Sequence, residues 1–129
     1  MLDPEINDSE RLYKAIKKSI PVQWNEKLDQ PTSAAFKDSQ GVSVDRDGGR
    51  SDGKIIHSFK ESFDLRAVIS VTAQQCWDQG THPIAKPLSD NPYHAEIHRS
   101  PEKIMLTAGQ AKRLSRLALT DYFKGSSQL

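Results

Sequence analysis

The chain contains one cysteine, Cys76, so an intramolecular disulfide framework is excluded. No apolar run approaches the length needed to span a bilayer. The acidic opening residues lack the apolar centre of a secretory signal. No membrane partner is therefore expected, and the expected compartment is the cytoplasm. An excess of one charge is also missing: 18 Lys and Arg face 17 Asp and Glu, a formal net charge of +1, which neither demands nor excludes a nucleic-acid partner. There is no tandem repeat. Hydrophobic residues make up 36% and aromatics 7%, low values that point to a small soluble domain with polar margins. At 129 residues the chain fits one domain and can bury a useful core.

The stretch from Ala67 to His98 holds most of the local signal. Ala67-Val68-Ile69-Ser70-Val71 is a short β-branched run, as in a largely buried strand. Thr72-Ala73-Gln74-Gln75 has capping-box form, which starts a short helix with Ala73, Cys76 and Trp77 inward. Gly80 suits the left-handed residue after it. Three prolines, Pro83, Pro87 and Pro92, make residues 81–92 an extended, stiffened loop, incompatible with a helix or a central strand. From Tyr93 to His98 the chain alternates, placing Tyr93, Ala95 and Ile97 on the core face and His94, Glu96 and His98 on the other.

Elsewhere the pattern is more ambiguous. Residues 1–8 read as a flexible N-terminal tail, 9–124 as the domain and 125–129 as a flexible C-terminal tail. Leu12, Ala15 and Ile16 give a helical stripe over 9–20, although Leu12 to Ile16 also alternates; the spacing is read as helix. Val22-Gln23-Trp24, Ser33-Ala34-Ala35-Phe36, Val42-Ser43-Val44-Asp45 and Lys103 to Leu106 are expected as short strands, the second and third joined as a hairpin. Ile55, Ile56, Phe59 and Phe63 predict a short amphipathic helix. Thr107-Ala108-Gly109-Gln110 opens a last helix with Ala111, Leu114, Leu117 and Ala118 inward. The resulting expectation is a single α+β domain: a mixed or antiparallel sheet of four to five strands, with two or three helices on one face.

Ser33-Ala34-Ala35-Phe36, Gly41-Val42-Ser43-Val44, the strand ending in Thr72-Ala73, and Pro92-Tyr93-His94-Ala95 together resemble a family of short uncharacterised bacterial proteins. The resemblance spans roughly residues 12 to 118. It implies one compact domain of bacterial or phage-related source and carries no activity with it. Trp77, Gln79 and a longer glycine loop depart from the family's pattern.

Four places can carry chemistry. His82, His94, His98, Glu96 and Cys76 are zinc-ligand types, but their spacing matches no zinc signature, so no metal or cofactor is expected. The Asp45-Arg46-Asp47 start of a calcium loop fails: Gly49 replaces a ligand, Arg50 the turn glycine, and Ile56 the bidentate glutamate. Ser33, Ser43, Asp45, His82 and His94 supply the parts of a nucleophile, base and orienter set. Lys112, Arg113 and Arg116 form a basic helical face suited to phosphate. His82, Tyr93, His94, Glu96 and His98 mark the 81–94 loop as the expected contact surface for a protein partner or small ligand. The expected function is thus that of an accessory binding protein. The alternative is a small nucleotide- or nucleic-acid-directed enzyme of toxin or conflict type, with His82 or His94 as base.

Overall fold

The computed structural model describes residues 2–124. In chain order the elements are β1 (Arg11–Lys17), a 3-10 turn (Pro21–Gln23), β2 (Trp24–Asn25), β3 (Gln30–Pro31), a second 3-10 turn (Ser33–Phe36), β4 (Val42–Arg46), α1 (Asp52–Ser62), β5 (Leu65–Thr72), α2 (Ala73–Asp78), β6 (His82–Ala85), β7 (His94–His98), α3 (Ala108–Leu117) and β8 (Leu119–Phe123). Six strands form one sheet in the order β6-β7-β4-β1-β5-β8, and β2 and β3 form a separate two-stranded ribbon. Every pairing is antiparallel. The α+β, single-domain expectation holds. The strand count rises from four or five to six.

The segment expected as a helix at 9–20 is instead β1, in the middle of the sheet. Its apolar residues serve two faces, which a one-sided helical stripe cannot do. Leu12 and Ile16 pack with Val42, Val44, Ala67, Ile69, Val71, Ala95 and Ile97 under α2 and α3, through Ala73, Cys76, Ala111 and Leu114. Tyr13 turns to the other face and joins Val68, Leu65 and the α1 residues Ile55 and Phe59. Helices therefore cover both faces rather than one. β5 makes this necessary, because its apolar residues alternate onto both sides.

Four further expectations change. Ser33–Phe36 is a 3-10 turn, not a strand, and no hairpin joins it to β4; Ala35 and Phe36 plug the core from above. The 81–92 segment is not wholly loop: His82–Ala85 pairs with β7, and Pro83 is tolerated because β6 is an edge strand. Residues 103–106 form no strand, whereas Leu119–Phe123 does, closing the sheet against β5. Leu117, expected inward on α3, is exposed.

The helix starts behave as their sequences dictate. Thr72 and Thr107 each make a full capping box with Gln75 and Gln110. Gly80 has φ +77°, the left-handed geometry expected after α2. The N-terminal residues expected as a tail lie against the sheet. Ile6 is in the core, and the Arg46 guanidinium donates to the Asp3 and Glu5 carbonyls at 2.6 and 3.3 Å. The tail expected at 125–129 lies outside the described residues.

Candidate ligand-binding cleft

Strand register decides which side chains share the α1 face of the sheet. Tyr13 is opposite Asp45, Asp45 opposite His94, and Ser43 opposite Glu96; Glu96 is opposite Ile84, and His98 opposite His82. α1 covers this face over β1 and β5. Beyond α1, the chain after Lys86 rises over β4 and leaves a cleft of about 590 Å³. Its floor is Ala15, Lys17, Ser43 and Asp45. One wall is the α1 side of Ser58, Phe59, Ser62 and Phe63, and the other is Leu88, Asp90, Asn91, Pro92, Tyr93 and His94.

The second wall is short of regular structure but well anchored. Leu88 and Asn91 exchange backbone hydrogen bonds of 2.9 and 3.1 Å. Asn91 Nδ2 donates to Asp45 Oδ1 at 3.0 Å, and Asn91 Oδ1 accepts from the Tyr93 amide at 3.1 Å. The Arg50 guanidinium lies 3.5 Å from the centre of the Tyr93 ring, and its Nη2 is 3.8 Å from Asp45 Oδ2. Arg50 also donates to the carbonyls of Asp47 and Arg46, at 3.1 and 2.8 Å. The glycine loop between β4 and α1, residues 47–51, thus clasps Tyr93 from the side: Gly48, at φ +58°, lies so close that a Cβ there would run into the ring. Tyr93, expected on the core face, is a cleft residue instead.

His94 Nδ1 is 2.9 Å from the Lys86 carbonyl oxygen. A carbonyl only accepts, so Nδ1 carries the proton, and in the neutral ring Nε2 keeps its lone pair. The ring is thus oriented by a backbone carbonyl. Asp45 does not orient it, being engaged by Asn91 and Arg50, and among the described hydrogen bonds none joins Ser43 to His94. Ser43, Asp45, Tyr93 and His94 are therefore brought into one cleft, but not as a hydrogen-bonded nucleophile–base–carboxylate chain.

The remaining sequence candidates lie elsewhere. His82, Glu96 and His98 share the α1 face but sit further along β6 and β7, outside the cleft lining. There His98 Nε2 pairs with Glu96 Oε1 at 2.8 Å, beside Gly41 at φ +99°. Cys76 is buried on the opposite face, where burial pushes its thiol up to about 12. Among the described residues no three His, Cys, Asp or Glu side chains gather as a metal set. Lys112, Arg113 and Arg116 are exposed on α3, across the sheet from His94. Arg113 Nε donates to Gln79 Oε1 at 2.6 Å, and Arg116 borders a separate polar recess with Asp29 and Ser115.

Several cleft residues escaped the sequence reading. Phe59 and Phe63 are four apart, which reads as an ordinary core stripe, yet Phe63 is 37% exposed at the cleft wall. Lys17, at the end of β1, extends its ammonium over the Phe63 ring, 4.2 Å from its centre. Gly49-Arg50-Ser51-Asp52-Gly53 also spells Gly-x-Ser-x-Gly, the pattern of a nucleophile elbow. The geometry is different: Ser51 has unstrained backbone (φ −71°, ψ 158°), and its oxygen accepts from the Lys54 amide as an ordinary cap for α1. No helix among the described residues is long and apolar enough to cross a membrane. Comparison with protein families, curated proteins and solved structures gives no match for this chain.

Proposed function

We propose that this chain is a binding module that holds a small ligand in the cleft between α1 and residues 86–94. The observation that carries the reading is the cleft itself. Its volume of about 590 Å³ lies in the range of small-molecule sites. Aromatic and aliphatic walls face each other across a floor with a few polar groups, the usual division between affinity and orientation. A concave site of this kind suits a small ligand better than a flat protein surface.

The test is an amide-resolved NMR titration of the intact chain with a fragment library. Shifts should cluster at residues 15–17, 43–45, 58–63 and 88–94. A Ser62→Trp variant, which fills the space beside Phe63, should lose them while keeping its fold. Binding that maps instead to α3, or that survives Ser62→Trp unchanged, sinks the reading.

His94 supports a second reading, catalysis on a nucleotide or nucleic acid. A cleft imidazole with Nδ1 tied to a carbonyl and Nε2 unpaired has the arrangement of a general base. Turnover of nucleotides by the purified chain, lost in His94→Gln, would favour it. A His82→Ala variant should keep that activity, because His82 lies outside the cleft.

A further inference from the structure

The polar groups of the cleft divide into two sets. Asp45, Asn91 and Arg50 are already engaged: Asn91 uses both ends of its amide, Asp45 accepts from Asn91 and faces Arg50, and Arg50 donates to two carbonyls. Their charges are compensated within the wall. Among the described hydrogen bonds and ion pairs, the side chains of Lys17, Ser43, Ser58 and Ser62 take part in none. This second set comprises one ammonium and three hydroxyls, all able to donate, beside His94.

We infer that the cleft takes a ligand made of a small apolar body bearing one oxyanion, a carboxylate or a phosphate, with Lys17 as its charge partner and the serine hydroxyls as further donors. The inference rests on the proposed ligand-binding role of the cleft and names the chemistry of its occupant. Phe59 and Phe63 on one side, with Leu88 and Pro92 on the other, provide the apolar slot. Lys17 lies across Phe63, at the end of that slot, where an anionic head would meet it. An ammonium in a partly enclosed site with no carboxylate partner is incompletely solvated, so an anion gains more there than in open water. Lys14 borders the same cleft. Burial, opposed by Asp38 and reinforced by the Lys17 charge, holds the Lys14 ammonium down to about 8, so Lys17 is the ammonium left to meet an anion. The one cleft carboxylate that nothing compensates, Asp90, is exposed on the outer wall. A neutral or cationic ligand would leave Lys17 without a counter-charge.

The experiment uses three probes of the same shape: phenyl phosphate, phenylacetate and 2-phenylethanol, titrated into the intact chain by amide-resolved NMR. At least one anion should shift residues 17, 43 and 58–63 and bind about tenfold tighter than the alcohol. Lys17→Met should abolish that preference while leaving the weak binding of the alcohol, and Lys17→Arg should restore it. The tighter of the two anions identifies the oxyanion. If the alcohol binds as tightly as both anions, or Lys17→Met keeps the preference, the ligand class is wrong while the cleft remains a binding site. If none of the three probes shifts a cleft residue, the class fails, and the fragment titration decides separately whether the cleft binds anything.

Discussion

The Glu10–Arg46 pair offers a direct test of how this sheet is held. Arg46 Nε reaches Glu10 Oε1 at 2.8 Å and Nη2 reaches Oε2 at 3.0 Å, a two-pronged contact in which the side chains are 4% and 10% exposed. Glu10 Oε2 also accepts from the Asn7 amide at 2.8 Å, so the pair ties the N-terminal segment to β4. Removing one partner from a buried pair leaves an uncompensated charge and costs about 3–5 kcal/mol. Replacing both with apolar residues of similar size removes charge and counter-charge together and costs far less. Glu10→Met and Arg46→Met should each lower the urea midpoint by an amount worth about 3 kcal/mol or more, a large part of the ~5–15 kcal/mol typical of a domain. The double variant should lie within about 1.5 kcal/mol of the wild type. Single variants costing under about 1 kcal/mol, or a double variant equal to the sum of the singles, would refute the reasoning.

Three other outcomes follow from the same physics. Lys14 titrates near 8 when folded against 10.5 when unfolded, so between these values the unfolded chain holds more protons and stability should rise with pH, by on the order of 2 kcal/mol, until the Tyr13 hydroxyl begins to oppose it. Urea titrations across pH 7–10 should show this rise, and Lys14→Met should flatten it. Gly48→Ala should cost about 1–3 kcal/mol, because it combines φ +58° with a clash against Tyr93, and it should broaden the Tyr93 and Asn91 amide signals; unchanged spectra would mean that the clasp is irrelevant. Burial raises the Asp121 carboxyl above its ordinary range, against the Ser70 hydrogen bond, and its Oδ2 is enclosed without a partner, so Asp121→Asn should leave thermal stability at pH 7 equal or higher; a fall of several degrees would show a partner for the carboxylate.

Local rules were legible where one residue type had one physical reason. Thr72 and Thr107 announced their helices, Gly80 its left-handed turn, and the β-branched run of β5 its burial. Leu12 to Ile16 were not decidable locally, since two apolar pairs fit either period; the helix packed above Tyr13 and the neighbouring strands beside Leu12 make the choice. β8 follows α3 with only Ala118 between them, and its Asp121 hides the strand pattern. The cleft was half visible. Ser43, Asp45, Tyr93 and His94 were singled out, but Lys17 and Phe63 meet them only through β1 and α1, and His82 was expected beside His94 because sequence distance does not reveal β7 register.

The central position of β1 has a consequence for the order of synthesis. Its pairing with β5 joins residues from 48 apart (Lys17 and Leu65) to 61 apart (Arg11 and Thr72). At ~5–20 residues per second, the emerging N-terminal strand waits on the order of several seconds before its partner leaves the ribosome. During that interval only β4 can pair with β1, at Leu12–Arg46 and Tyr13–Asp45, and the β5 side of Leu12, Tyr13 and Ile16 stays open. The segment that seats the whole fold is therefore also an open strand edge while the domain is being made, and a chaperone that shields it should raise the yield of folded protein more than one acting on the finished domain.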